Sequence, residues 1–197
     1  MSNHQPKLNP FLTIWTKPRW TIDHFIYNQR SDSLYILPFI FYGIYVGLEI
    51  SKDIELLFDA NPTLEIKIGA RAICILCAIA LIILVLGKVQ PWIIKLIGRL
   101  WNGKATVNQL GTVSALAHIP YILVLIYEII TLSLGIDSST NPYYFLFSYI
   151  LQILVIRITI IGVSKAQKFG YIFALMNWLL SFLPILLIQL LLFFART

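Results

Sequence analysis

Three groups of residues in this chain are of types that could do chemistry. The first is the string GRLWNGKAT, Gly98–Thr106, which matches the G-x-x-x-x-G-K opening of a phosphate-cradling P-loop. That chemistry needs a buried strand before the loop, small residues within it, and Ser or Thr directly after the lysine to hold magnesium. Here Ala105 follows Lys104, an amphipathic stretch precedes the loop, and Trp101 crowds it. Nucleotide binding is therefore set aside. A local account fits better. Gly103 is expected to end the Gln90–Trp101 helix as its C-cap residue, and Thr106-x-x-Gln109 reads as a capping box that opens the next helix.

The second group is a set of ionisable side chains embedded in long apolar runs: Glu49, Arg71, His118, Glu128 and Arg157. In hydrocarbon each costs about 2.5 kcal/mol or more, so each is expected to be paired or functional. His118, Tyr121, Leu125 and Glu128 follow a 3-4-3 spacing and share a helix face. Tyr42, Tyr45 and Glu49 share another face, and Gly43-x-x-x-Gly47 lies roughly opposite, where a second helix can approach closely. At about 1.5 Å of rise per residue, Glu49, Arg71 and Glu128 reach a common depth and can form an acid–arginine–acid cluster. Arg157 falls in the other half of its run, with His118 and Asn177 at a comparable depth. Two readings stand: buried ion pairs that fix helix register, or a proton- or substrate-coupled path lined by Glu128, His118, Arg71 and tyrosines. The first is preferred, since Glu49 and Arg71 sit near a boundary where the cost is lower. Glu128, the deepest acid, is the strongest argument for the second.

The third group is Cys74-Ile-Leu-Cys77. It has CxxC spacing but no second ligand pair, so two buried thiols in an apolar helix are the simpler reading. His4 and His24 are isolated and read as surface residues. No Ser/His/Asp set, HExxH or paired-carboxylate motif stands out, and no catalytic, cofactor or metal role is expected.

The elements that must position these residues follow from composition. The chain has 197 residues, 58% of them hydrophobic and 12% charged, with a mean hydropathy of +0.80. Soluble domains carry about 25% charged residues. The expected fold class is all-α: a polytopic integral membrane protein with five transmembrane helices and short interfacial amphipathic helices. A crossing needs about 20 mostly apolar residues. The runs are Leu34–Ile50, Ile66–Leu86, Val113–Leu134, Tyr143–Val163 and Tyr171–Phe194. Residues 1–33 form a cytoplasmic arm, and residues 34–197 form the membrane domain. The net charge of +6 reports orientation rather than a nucleic-acid partner. Ten cations fall on one side: Lys7, Lys17, Arg19, Arg30, Lys88, Lys95, Arg99, Lys104, Lys165 and Lys168. Only Lys52, Lys67 and Arg196 fall on the other, beside acids that include Asp59 and Asp137. The N-terminus is therefore expected inside and the C-terminus outside. The arm lacks the pattern of a cleaved signal peptide, so the first span is expected to direct its own insertion.

Beside the spans, Asn9 before Pro10 reads as an N-cap with proline at the first helical position, and Pro18 can open a second short helix. The stretch Gln90–Trp101 is either an interfacial helix or a continuation of the second span kinked near Pro91. NPFLTIWTKPRWTI at Asn9–Ile22 and WNGKATVNQL at Trp101–Leu110, with five spans around them, resemble the Yip domain family of five-span membrane proteins. That resemblance implies an integral membrane scaffold or accessory subunit tied to membrane trafficking or organisation. It implies a cytoplasmic family motif at Pro18, Arg19, Trp101, Gly103, Lys104 and Thr106. Eukaryotic members that engage Rab GTPases carry a longer N-terminal region; this arm is similar to the short bacterial branch, which implies a bacterial plasma membrane. The expected partners are the bilayer, with Lys104 near anionic headgroups, and other membrane proteins or a second copy. The alternative is a small transporter or channel built on the intramembrane Glu, Arg and His residues.

Overall fold

The structure is a computed structural model that describes residues 9–27, 33–57, 64–136 and 141–194. Lys7, Arg30, Asp59, Asp137 and Arg196, counted above for orientation, and His4, lie outside the described residues. Every regular element among the described residues is helical. In chain order these are α1 (Pro10–Thr16), α2 (Pro18–Tyr27), α3 (Ser33–Leu57), α4 (Leu64–Leu84), α5 (Gln90–Gly98), α6 (Val107–His118), α7 (Tyr121–Ser133), α8 (Pro142–Gln167), α9 (Tyr171–Leu180) and α10 (Leu183–Phe194).

Two stretches are long and apolar enough to cross a membrane: Glu65–Trp101, of 37 residues, and Pro142–Gln167, of 26. The pair α6–α7, bent by 40°, makes a third if it counts as one span. The five expected runs are helical where they are described, and among the described residues only these reach the length and apolarity of a crossing. The run Tyr171–Phe194 is not one helix; it breaks at Ser181–Phe182 into helices of 10 and 12 residues. Pro184 is the cause, because its ring displaces the carbonyl of Leu180 and it has no N–H to offer there. Pro120 bends α6–α7 in the same way, whereas Pro38 is absorbed inside α3.

Gln90–Trp101 is the continuation of α4. The chain passes from α4 through a π-helical turn at Val85–Val89 directly into α5 and a closing 3-10 turn at Arg99–Trp101. One wider turn of this kind accommodates Pro91 without ending the helix. The terminus differs from expectation in one residue. Asn102, not Gly103, takes the left-handed conformation, with φ 58°. The amide of Asn102 donates to the Arg99 carbonyl at 3.1 Å and that of Gly103 to the Gly98 carbonyl at 2.9 Å. These two bonds are the Schellman pair that closes a helix end, and Asn tolerates the left-handed site. The capping box is present: Thr106 N–H donates to Gln109 Oε1 at 2.9 Å and Gln109 N–H to Thr106 Oγ1 at 3.2 Å. Asn9 caps α1, accepting from Phe11 N–H at 3.0 Å, with Pro10 at the first turn.

The core sits at one end, where α6 is surrounded by α2, α3, α5 and α8. Ile14, Ile22 and Ile26 of α1 and α2 join Leu110, Val113, Leu116 and Ala117 of α6, and Ile158 and Val163 of α8. The N-terminal helices thus contribute to the core. Lys165 on α8 pins α2 further through Asp23, at 2.7 Å. On the other side α4 packs along α3 at the two glycines. A Cβ at Gly43 would stand 2.6 Å from the Ile79 Cα, and one at Gly47 2.5 Å from the Ile75 Cα. Only glycine permits that backbone-to-backbone approach.

Candidate functional site

The residues singled out from the sequence separate into three places. The first is a polar-aromatic cluster between α3, α7 and α8. Its lining follows from the stripes read above. The α3 face carries Tyr42, Tyr45, Glu49 and Lys52, and the α6–α7 face carries His118, Tyr121 and Glu128. The rings interleave: Tyr42 lies 4.3 Å from Tyr121 and 5.0 Å from His118, centroid to centroid. Tyr45 and Tyr144 join α3 to α8 through a hydroxyl–hydroxyl hydrogen bond of 3.1 Å. Tyr144 stacks on Tyr127, whose hydroxyl accepts from the Asn141 amide at 3.1 Å. His118 Nδ1 lies 2.7 Å from the Ser114 carbonyl of its own helix. A carbonyl can only accept, so that nitrogen carries the proton and Nε2 is the acceptor.

Glu128 is 1% exposed. Its Oε1 accepts from the Lys52 ammonium, which also donates to Glu49 Oε1 at 2.9 Å. An acid–cation–acid arrangement is present with Lys52 as a cation between Glu49 and Glu128, while Arg71 stands on α4. Lys52 takes that place because of the length of α3. The helix does not stop at Ile50; it runs to Leu57 and carries Lys52 one turn past Glu49, onto the face that meets α7. The i, i+3 spacing of Glu49 and Lys52 is a signal that could have revealed this. Glu128 Oε2 is buried with no hydrogen-bond partner. A buried carboxylate with one oxygen bonded and one orphaned is held by charge compensation more than by hydrogen bonding.

The second place is the loop Asn102–Thr106. Gln167, 1% exposed at the end of α8, ties it down. Its Oε1 accepts from Ala105 N–H at 3.2 Å, its Nε2 donates to the Ile94 carbonyl at 3.2 Å, and its own carbonyl accepts from Lys104 N–H at 3.3 Å. Gly103 is required here by proximity, because a Cβ would fall 2.2 Å from Gln167 Oε1. Trp101 stands against Phe173, 5.8 Å away. The amides of Gly103, Lys104, Ala105 and Thr106, which a P-loop would aim at phosphate, all have protein acceptors. The loop is a clamp that joins α5, α6 and α8, with the Lys104 side chain exposed.

The third place holds Arg157. It does not approach Glu128; it is exposed on α8 beside Lys17, Pro18, Arg19 and Tyr171. Cys74 and Cys77 are free thiols on α4, with Cys77 on the uncovered face rather than buried. Among the described residues no three His, Cys, Asp or Glu side chains gather as a metal site would need. No family model, curated protein or solved structure matches the chain, so the capacities of these sites follow from their own geometry.

Proposed function

We propose that this chain is an integral membrane scaffold or accessory subunit, similar to Yip-family proteins, whose apolar flank receives a span of another membrane protein. In this reading α3, α4, α6–α7, α8 and α9–α10 are five crossings of a bacterial plasma membrane. The cation-rich end with α1, α2 and the Lys104 loop faces the cytoplasm.

The observation that carries it is the break at Ser181–Phe182 beside an uncovered α10. Pro184 offers no N–H to the Leu180 carbonyl, and a backbone group left open at membrane depth is costly unless protein surrounds it. Among the described residues nothing packs extensively on α10. Leu187, Leu190, Leu191 and Phe194 are each more than half exposed. A neighbouring span would cover both the helix and its broken start. The test places a photo-activated cross-linking residue at Leu187 in native membranes, with Lys104→Ala as a second variant. One stoichiometric protein adduct is expected, weakened by Lys104→Ala if the loop is also a contact. Lipid adducts alone would sink the reading.

One observation favours a second reading, a small transporter or channel: the orphaned, buried Oε2 of Glu128. Glu128→Gln that folds normally but abolishes flux in proteoliposomes would establish it. Unchanged flux, or no flux by the wild-type chain, would remove it.

A further inference from the structure

We propose that the elbow between α1 and α2, with the facing side of α8, is a binding site for the phosphate headgroup of an anionic glycerophospholipid. The site does not depend on the scaffold reading. It is a cavity of about 680 Å³, within the range that holds a ligand of roughly drug size. Three cations line it: Lys17 at the elbow, Arg19 on the first turn of α2, and Arg157 from α8. No acid lines it, and no described carboxylate pairs with any of the three. The acid of α2, Asp23, is already bound to Lys165.

Local structure fixes the cations. Thr21 Oγ1 donates to the Lys17 carbonyl at 3.0 Å, and Lys17 N–H donates to the Thr13 carbonyl at 2.8 Å, which sets the elbow. The Arg19 guanidinium lies over the Tyr171 ring, 5.6 Å from its centroid. A guanidinium held on an aromatic face keeps its planar fork free to chelate two oxygens of a phosphate. Arg157 projects from Pro142–Gln167, a helix apolar enough to cross a membrane. An exposed arginine there needs a counter-charge or a route to the headgroups. Three like charges around one cavity repel until an anion enters.

The rest of the wall distinguishes a lipid from a free phosphate. Ile153, Ile156 and Ile160 form an apolar track along α8 that flanks Arg157, and Ile153, one turn from it, is 64% exposed. That track offers nothing to inorganic phosphate but suits the first segment of an acyl chain. Trp20, 49% exposed at the rim, is the side chain expected at headgroup level.

The test is thermal unfolding of the purified full-length chain in an uncharged detergent, titrated with phosphatidylglycerol, phosphatidylcholine or inorganic phosphate. A ligand of the folded state raises the melting temperature saturably. Phosphatidylglycerol is expected to do so, and the other two are not. Arg157→Gln should weaken phosphatidylglycerol about fivefold, as expected for one cation facing anionic lipid. Lys88→Gln removes the same charge at an exposed position outside the cavity and should change nothing. If Arg157→Gln does not fold, Arg19→Lys replaces it, keeping the charge while losing the fork, and should also weaken binding. Equal protection by phosphatidylcholine, equal protection by inorganic phosphate, or an equal loss with Lys88→Gln would each overturn the proposal. No partner protein is present, so the outcome is independent of the cross-linking result.

Discussion

Lys52→Met is expected to be among the most destabilising single substitutions in the chain, by about 3–5 kcal/mol, because it strands the Glu128 carboxylate in the interior. The pair joins α3 to α7, and Glu128 is 1% exposed. Its second oxygen has no hydrogen bond to fall back on. Glu49 loses the same cation but is less affected, since a third of its side chain reaches the surface. A loss of this size is a large part of the roughly 5–15 kcal/mol that holds a typical domain together. The double variant Lys52→Met/Glu128→Gln should recover much of it, because two mutations on one buried pair are not additive. Thermal melts of the three variants in detergent decide the matter. A Lys52→Met chain that melts with the wild type, or a double variant no better than the single, would show that the pair does not support the fold.

Gly47→Val is the second large effect, expected at the upper end of the roughly 1–3 kcal/mol that overpacking costs. The reason is what the new atoms meet. At Gly47 the neighbours are the Ile75 Cα at 2.5 Å and the Ile75 N at 2.9 Å, which are backbone and cannot rotate away. The only relief is to move α4 as a body, and its main packing partner is α3. Gly69→Ala is the matched control on α4: a Cβ there has nothing within 4 Å. It should melt at or slightly above the wild type, since alanine is the better helix former. A Gly47→Val chain as stable as the Gly69→Ala chain would mean that α3 and α4 are not held by that contact.

Much of the fold could be read directly from the sequence, where a local rule acts alone. Asn9-Pro10 and Thr106-x-x-Gln109 name helix starts because capping is settled within four residues. The faces of α3 and α7 were readable because spacing fixes direction on a helix. What failed depended on partners distant in sequence or on small backbone choices. Lys52 was placed in a loop because the charged stretch after Ile50 looks like a helix end, yet the helix continues and brings it to Glu128. Arg157 was grouped with the other intramembrane charges by depth alone, but depth does not say which way a side chain faces around a helix axis. Asn102 takes the left-handed position, and Gly103 is needed for a different reason: Gln167, 64 positions beyond it, fills the space a Cβ would need. The break before Pro184 was not legible because a proline alone does not decide it: Pro38 leaves α3 whole, whereas the chain breaks just before Pro184.

The run Glu65–Trp101 carries a mechanical consequence. Its 37 residues extend about 55 Å at the α-helical rise, against a hydrocarbon layer about 30 Å thick. Tilt alone cannot hide the excess, since tilts of crossing helices stay within about 40°. A crossing by this helix would put its far end, with Lys95 and Arg99, outside the hydrocarbon, and the wide turn at Val85–Val89 is the natural place for the axis to change direction. The angle at that turn would then be set by the thickness of the bilayer. The helix would act as a gauge, transmitting changes in lipid chain length to α5 and, through Gln167, to the end of α8.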